Sequence, residues 1–295
     1  MSAPIDHCHI QEPDEDNRSR QWHAKLELDY LHTHQSTVVK SKHSGPLRVL
    51  QSLYPEGKAI CHSVLVHPPS GLVGGDTLDI QLKLAPHTHA LITTPGATRF
   101  YRTEQGEATQ RVNAHIGAHA RLEWLPLETI AYNGCNGINR FEFELEPSAE
   151  LMAWDITALG LPHAQQPFQN GQVLQHLEVK GTWLERGWIQ ATDKHLMDGP
   201  VGLAKHRCMA TLVFATGQDL SKSRRERALE TARALTEHTN AELVCGLTSP
   251  NAKVVVLRSL SSVVEPAQNL LRQVWAVWRQ ELWDLKGDLP RIWSM

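Results

Sequence analysis

Apolar and polar residues alternate with a period of two along much of the chain. Leucine or isoleucine occupies every second position from Leu78 to Leu84, and the same alternation recurs from Phe141 to Leu145. Such alternation is typical of strands with one buried and one solvated face. Gly, Pro, Asn and Asp residues interrupt these segments at intervals of about ten residues, as in all-β proteins. The pattern predicts a mainly β body of many short strands, either a layered β-sandwich or a coiled β-solenoid, and excludes an all-helical fold. Strands are predicted over residues 24–29, 36–42, 59–66, 78–84, 90–94, 110–116, 121–125, 141–146, 173–179, 207–214 and 252–259.

The C-terminal part of the chain shows helical spacing of its apolar residues. One helix is predicted over residues 221–238 with Ser221 as its N-cap, and a second over residues 266–285 with Pro266 in its first turn. These two helices and the strand between them predict a small α+β portion. We therefore expect a mobile arm over residues 1–20 and a single domain over residues 21–295. Within that domain the β body covers about 21–216 and the helix-containing part about 217–295.

Composition limits the class of protein. The chain has 295 residues, 41% hydrophobic and 21% charged, which is typical of a globular protein. A net charge of -3 argues against a nucleic-acid partner. No apolar run approaches the roughly 18 residues of a membrane span, and the acidic N-terminus lacks a signal peptide's apolar segment. We therefore expect no membrane partner and a cytoplasmic protein.

The five cysteines of the chain are scattered without a C-x-x-C pair, so we expect reduced, structural thiols.

A loop rich in glycine and proline precedes an apolar strand and a second proline-glycine turn. The first segment is His67-Pro68-Pro69-Ser70-Gly71-Leu72-Val73-Gly74-Gly75-Asp76, and the second is Thr93-Thr94-Pro95-Gly96-Ala97-Thr98-Arg99-Phe100-Tyr101-Arg102. Neither segment matches the glycine motifs that bind nucleotide phosphates, and the chain has no G-x-S-x-G nucleophile elbow. The loop is therefore interpreted as a close approach of backbones, and any nucleotide chemistry would belong to a partner.

Several oxygen-bearing side chains interrupt apolar segments and are candidate cation ligands. Asp155 and Glu185 lie within apolar strands, Asp76 closes the glycine-rich loop, and Thr98 follows the second turn. A buried carboxylate is costly unless it is paired, hydrated or bound to a cation. One interpretation is paired or edge-exposed acids. The other is a line of spaced oxygen ligands, which would suit transient passage of a divalent cation such as nickel(II) better than tight binding.

Histidines provide a competing interpretation. His87 and His89 are two positions apart, so on a strand they share one face and form either half of a metal site or two solvent-facing polar positions. A metal-dependent β-rich hydrolase that uses His87, His89 and Asp155 is the alternative function. His7, Cys8 and His9 in the N-terminal arm could form a weak nickel site.

The two loop segments belong to a longer resemblance. They are joined by Leu122-Glu123-Trp124-Leu125-Pro126-Leu127-Glu128-Thr129-Ile130, Leu151-Met152-Ala153-Trp154-Asp155, Leu159-Gly160 and Leu289-Pro290-Arg291-Ile292-Trp293. From Trp22 to Met295 the chain resembles the UreD (UreH) family of urease accessory proteins. It departs from that family at Leu161, where an arginine is usual, and at Ser70, where a glycine is common.

The resemblance implies a mostly β protein that is not an enzyme and holds no cofactor tightly. It implies a complex with UreF and the GTPase UreG, docking onto apo-urease, and delivery of nickel to the urease active site through a water-filled tunnel. By motif matching, the tunnel positions would be Asp76, Thr98, Asp155 and Glu185. Trp275, Trp278 and Trp283 of the last helix would either pack in the core or cover UreF.

Overall fold

The computed structural model describes residues 22–69, 71–237 and 243–294. These residues form eighteen strands and three α-helices. The strands are β1 (His23–Thr33), β2 (Ser36–Ser44), β3 (Arg48–Leu53), β4 (Ile60–Val66), β5 (Thr77–Leu84), β6 (His89–Thr93), β7 (Thr98–Phe100), β8 (Ala108–Ile116), β9 (Arg121–Trp124), β10 (Thr129–Ala131), β11 (Cys135–Leu145), β12 (Glu150–Leu161), β13 (Gln166–Pro167), β14 (Gly171–Val179), β15 (Trp183–Gln190), β16 (Cys208–Thr216), β17 (Leu243–Asn251) and β18 (Val254–Ser261). The helices are α1 (Lys194–Asp198), α2 (Lys222–Thr236) and α3 (Val264–Trp283). The predicted N-terminal arm, including His7, Cys8 and His9, lies outside the described residues.

The strands form two sheets that face each other as a β-solenoid. A seven-stranded sheet has the order β15-β14-β11-β8-β5-β1-β2, and the second sheet contains eleven strands with β12, β9, β6 and β4 adjacent. Successive coils contribute one strand to each sheet, so β5, β8, β11 and β14 pair in parallel, as do β6, β9 and β12. The prediction of a mainly β body is confirmed, in its solenoid form.

Two apolar cores follow from this arrangement. The first lies between the sheets and collects the inward positions of the alternating strands, including Leu26, Leu82 and Phe143. The second lies between the outer face of the eleven-stranded sheet and the two long helices, where Trp154 and Phe214 are fully buried. Because β12 is covered on both faces, nearly all of its residues are buried.

The predicted helices are confirmed with small shifts of their ends. Ser221 caps α2, because its Oγ accepts a hydrogen bond from the Arg224 amide at 3.3 Å. Helix α3 begins two residues before Pro266 and ends at Trp283, and the C-cap residue Asp284 adopts a left-handed conformation. Helix α1 was not predicted, since five residues are too few to show a helical period. Among the described residues, no helix combines the length and the apolar character needed to cross a membrane.

The tryptophans of α3 belong to the core. Trp275 and Trp278 are fully buried and Trp283 nearly so. The indole of Trp278 donates to the carbonyl of Ala228 in α2 at 2.8 Å, and that of Trp275 donates to Glu123 beneath the helix at 2.6 Å. The hypothesis that some of these rings cover a partner is therefore wrong, because all three face the sheet or the neighbouring helix.

Candidate functional site

Three buried side-chain amides cross the inner face of the seven-stranded sheet. Gln110 of β8, Asn139 of β11 and Gln175 of β14 occupy matching positions on adjacent parallel strands. Each is the polar exception on an inward face that is otherwise apolar, and each is more than nine-tenths buried. The Gln110 Nε2 donates to Asn139 Oδ1 at 3.0 Å. The strand register therefore aligns these amides side by side inside the protein.

Asp155 of β12 meets this line of amides from the opposite sheet. Its Oδ1 accepts from Asn139 Nδ2 at 3.2 Å and its Oδ2 accepts from Gln175 Nε2 at 2.9 Å. Burial raises the pKa of Asp155 to about 7, with the Gln175 hydrogen bond opposing the shift and the charge of Glu185 adding to it. Near neutral pH, Asp155 is therefore poised between its protonated and ionised forms.

The same line reaches Thr98 at its other end. The Thr98 hydroxyl donates to Gln110 Oε1 at 3.1 Å. We call the five connected side chains the interior polar row: Thr98, Gln110, Asn139, Asp155 and Gln175. Thr98 and Gln110 line a cavity of about 230 Å³ under the glycine-rich loop. Trp124 also lines this cavity, and its buried indole nitrogen has no hydrogen-bond partner among the described residues.

Glu185 closes the gap between the sheets beside Asp155. Its Oε1 accepts from Thr211 Oγ1 at 3.2 Å, and its Oε2 accepts from Arg258 Nε at 2.8 Å. Thr211 is the register neighbour of both Asp155 and Arg258 in the eleven-stranded sheet. Because the Arg258 side chain is half exposed, this end of the interior polar row reaches solvent through Glu185.

Asp76 has a different environment from the other three predicted residues. Its two carboxylate oxygens accept from the backbone amides of Trp22 and Val73, each at 3.0 Å. The carboxylate therefore fastens the glycine-rich loop to the start of β1. The structure thus connects Thr98, Asp155 and Glu185 around the interior polar row and uses Asp76 to hold the loop that covers its cavity.

The glycine-rich loop is packed too closely for side chains at several positions. A Cβ at Gly74 would lie 1.7 Å from the carbonyl oxygen of Gln105, and one at Gly71 would lie 2.0 Å from the ring of Tyr101. The interpretation of this loop as a close approach of backbones is confirmed. Ser70 of this loop lies outside the described residues.

Replacing Gly74 with alanine is expected to lower the free energy of unfolding by at least about 1–3 kcal/mol, because backbone must move to admit the methyl group. Gly96→Ala is the matched control. Its Cβ meets no atom of the described residues within 4 Å, and its φ is not in the left-handed region. We expect Gly96→Ala to leave stability unchanged or to raise it by up to about 1 kcal/mol. Urea unfolding measures both, and equal stability of the two variants would contradict the close approach.

The structure separates the residues of the alternative hydrolase. His87 is exposed in the turn after β5, whereas His89 is buried on the outer face of the eleven-stranded sheet. His89 is aligned with Arg121 and Glu150 across β6, β9 and β12. Asp155 lies five positions after Glu150 in β12, so it faces the opposite side of the sheet. His87, His89 and Asp155 therefore do not converge on one metal ion.

His89 instead belongs to a buried charge cluster under α3. Glu123, which is fully buried, accepts from His89 Nε2 at 2.7 Å and from Trp275 Nε1 at 2.6 Å, and pairs with Arg279 Nε at 3.2 Å. Arg279 also donates to both carboxylate oxygens of Glu56, at 2.9 and 3.1 Å. Burial lowers the pKa of His89, against the opposing effect of Glu123. We refer to Glu56, His89, Glu123 and Arg279 as the buried charge cluster.

Among the described residues, one group of three side chains already holds its potential ligand atoms within 4.8 Å of one another: Glu142, His176 and Glu178. They lie on the outer face of the seven-stranded sheet. Glu142 is hydrogen-bonded to Arg140, and His176 Nε2 is 2.8 Å from Glu178 Oε2. Each acid therefore has a positively charged or hydrogen-bonding partner, and the His176 side chain between them is buried.

The amides of the interior polar row were not among the residues predicted from the sequence. The signal was present, because Gln110 is a polar residue at an inward position between Ala108 and Val112. Asn139 and Gln175 interrupt their strands in the same way. Such residues were overlooked because an isolated polar residue in one strand carries no information about its neighbours. Only the register of three strands brings them together.

The fold and its interior define a class: a β-solenoid protein with a helical layer and a buried row of oxygen-bearing side chains. The family model described as UreD urease accessory protein matches residues 23–294. The chain is 56% identical to "Urease accessory protein UreD" of Paracidovorax citrulli over 274 residues, covering 93% of this chain and 99% of the relative. It is 56% identical to the protein of that name from Variovorax paradoxus over 273 residues, covering 92% and 99%. For Methylibium petroleiphilum the identity is 46% over 271 residues, covering 87% and 91%.

The chain belongs to the UreD family of urease accessory proteins. Membership supports an accessory role in urease maturation. It confirms the resemblance inferred from the loop segments and the strands that follow them.

Proposed function

We propose that this chain is a non-enzymatic scaffold that docks apo-urease and a complex of UreF and UreG, and that conducts nickel(II) along the interior polar row. The ion would be cargo and not a resident cofactor. The observation that supports this proposal most strongly is the continuous chain of hydrogen bonds from Thr98 to Asp155, with Glu185 beside its exposed end. Bond making on the chain itself has no part in this function.

The composition of the row suits passage of a cation better than retention. Nickel accepts oxygen and imidazole ligands, and its affinity rises with the number of charged ligands at one point. The row offers neutral amide and hydroxyl oxygens and, at the end next to Glu185, the single carboxylate of Asp155. A cation held by one carboxylate, with water completing its coordination, would exchange quickly. The carboxylate of Glu185, which lies between Asp155 and solvent, then attracts the cation away from Asp155.

The raised pKa of Asp155 supports an exchange of a proton for the ion. Near pH 7 both the protonated and the ionised forms of Asp155 are populated, since its pKa is about 7. An approaching divalent cation favours the ionised form and displaces that proton. When the ion leaves, Asp155 takes up a proton again, so the buried site would not remain as an uncompensated charge.

The cavity at the Thr98 end supports hydration of the path. Its volume of about 230 Å³ is large enough for several water molecules. Polar groups that lack protein partners are the usual partners of buried water, and the indole nitrogen of Trp124 is such a group. A hydrated nickel ion could therefore enter beneath the glycine-rich loop without losing all of its water.

The test is urease activation in cells that produce urease, the other accessory proteins and an Asp155→Asn form of this chain. We expect several-fold lower urease activity, because the amide keeps the shape of the side chain and removes its charge. Asp193→Asn is the matched control. Asp193 caps α1 by accepting from the Leu196 amide at 3.0 Å, and asparagine caps a helix equally well. We expect normal activation from this control.

Affinity purification of the same cells separates conduction from docking. The proposal predicts that the Asp155→Asn chain co-purifies with UreF, UreG and urease as the unchanged chain does. Normal urease activity in that variant would exclude Asp155 from the path and favour a protein-binding module without a role in ion transfer. Loss of co-purification would show that the substitution acts on assembly.

A further inference from the structure

The turns at one edge of the solenoid share an unusual backbone conformation. His87 in the β5–β6 turn, His119 in the β8–β9 turn and Ser148 in the β11–β12 turn all have positive φ, at 63°, 59° and 64°. Because β5, β8 and β11 pair in parallel, these residues occupy corresponding positions in three successive coils. The His87 amide donates to the carbonyl of Ala118 at 3.2 Å, and the His119 amide donates to Ser148 Oγ at 3.2 Å. The turns are therefore fastened to one another.

Histidine is among the residues other than glycine that adopt this conformation most often, but its presence at matching positions of two adjacent turns calls for an explanation. A left-handed conformation costs about 1–3 kcal/mol for a residue other than glycine, and such strain tends to persist at functional sites. A glycine at residue 87 or 119 would satisfy the backbone at lower cost. The strain therefore directs attention to the two imidazole side chains.

The imidazole rings of neighbouring turns lie against one another at the surface. The His87 and His119 rings stack with centroids 4.9 Å apart and an angle of 12° between their planes. The ring of His32, next to the β1–β2 turn, is 6.1 Å from that of His87. All three residues are exposed. The spacing of the His87 and His119 rings matches the 4.7–4.9 Å between adjacent strands. The ligand nitrogens of all three histidines do not lie within 4.8 Å of one another in this conformation, so binding of one ion requires rotation of the exposed side chains.

We propose that His87 and His119, with His32 as a third ligand, form a surface site for a divalent cation that prefers imidazole, such as nickel, copper or zinc. Imidazole nitrogen suits these ions, whereas magnesium and calcium prefer oxygen ligands. Water completes the coordination on the solvent side. The sequence suggested a pair of His87 with His89, but the turn directs His87 away from His89 and towards the next coil. This site is separate from the interior polar row and does not depend on it.

The test is titration of the purified full-length chain with Ni²⁺ alone, followed by nuclear magnetic resonance of the histidine side chains. His7, Cys8 and His9 are replaced by Ala, Ser and Ala throughout, so that the N-terminal arm does not compete. At substoichiometric Ni²⁺, a paramagnetic ion, we expect the imidazole signals of His32, His87 and His119 to broaden before those of the other histidines.

A His87→Asn/His119→Asn variant tests the ligands, since asparagine tolerates positive φ and the fold is preserved. We expect its Ni²⁺ affinity to fall by at least about tenfold, because even indirect partners of metal ligands contribute about 10- to 100-fold. The matched control is His43→Asn/His163→Asn at two exposed histidines elsewhere, with affinity unchanged. Equal affinity of both variants would overturn the proposal. So would loss of binding in Glu178→Gln, which would place the ion at Glu142, His176 and Glu178 instead.

Discussion

Replacing Arg279 with methionine is expected to lower the free energy of unfolding by about 3–5 kcal/mol. The guanidinium is fully buried between two carboxylates, those of Glu56 and Glu123. Removing one member of a buried ion pair leaves an uncompensated charge, and that loss is larger than the pair's net contribution. Burial alone would raise the pKa of Glu56, but hydrogen bonds from His62 and Arg279 hold it at about 2. Urea or thermal unfolding of the purified chain measures the effect.

Two further variants make this result specific to the buried charge cluster. Lys222→Met removes an exposed ion pair with Glu226 and is expected to change stability by less than about 0.5 kcal/mol. Adding Glu123→Gln to Arg279→Met should recover part of the lost stability, because the amide still accepts from Trp275 and carries no charge. Equal losses from Arg279→Met and Lys222→Met would mean that the cluster is hydrated and not buried.

Asp155→Asn is expected to change how stability depends on pH. The pKa of Asp155 is about 7 in the folded chain, against an ordinary value of 3.8. Between pH 4 and pH 7 the folded state therefore holds a proton that the unfolded state releases. Unfolding is favoured as pH rises through that window, by about 1.4 kcal/mol per pH unit from this group. Above pH 7 the ionised, buried carboxylate costs the folded state about 4 kcal/mol in total.

The asparagine side chain removes this dependence because it does not titrate. Unfolding free energies at pH 4, 5.5, 7 and 8.5 should show the variant gaining stability relative to the unchanged chain at each step, with most of the gain complete by pH 7. Asp193→Asn should follow the unchanged chain at every pH. A constant difference across this range would show that Asp155 is hydrated and has an ordinary pKa.

Much of the fold was predictable because each strand carries its own signal. The alternation over residues 78–84 matches β5, which spans Thr77–Leu84, and the apolar spacing after Ser221 matches α2. These elements follow from local periodicity, capping and turn residues. These local signals did not decide between a sandwich and a solenoid. That choice depends on whether β5 pairs in parallel with β8 or pairs with another strand.

The candidate site was predictable only in part, for a related reason. Asp155 and Glu185 were identified because an acid in an apolar strand needs an explanation. Asn139 and Gln175 were missed because a single buried amide is unremarkable until register aligns it with others. The buried charge cluster was missed because Glu123 and Arg279 are 156 residues apart in the sequence and meet only when α3 covers the sheet.

The proposed path for nickel lies in the space between the two sheets. Parallel coils repeat the same inward position three times, and the sequence fills those positions with Gln110, Asn139 and Gln175 in place of apolar residues. The helical layer, fastened by the buried charge cluster, covers the other face of the eleven-stranded sheet. Arg279 belongs to this cluster, whereas Asp155 belongs to the interior polar row, so the two substitutions test the helical layer and the proposed path separately.

The most direct test of the central claim is nickel transfer in the presence of a chelator too large to enter the interior. The purified assembly of this chain with UreF, nickel-loaded UreG and apo-urease is supplied with GTP and excess chelator, and the nickel retained by urease is measured. The account predicts that transfer persists with the unchanged chain and falls several-fold with Asp155→Asn. Two results would contradict passage along the interior polar row. One is that the chelator captures all of the nickel when the unchanged chain is present. The other is that urease retains as much nickel with Asp155→Asn as with the unchanged chain.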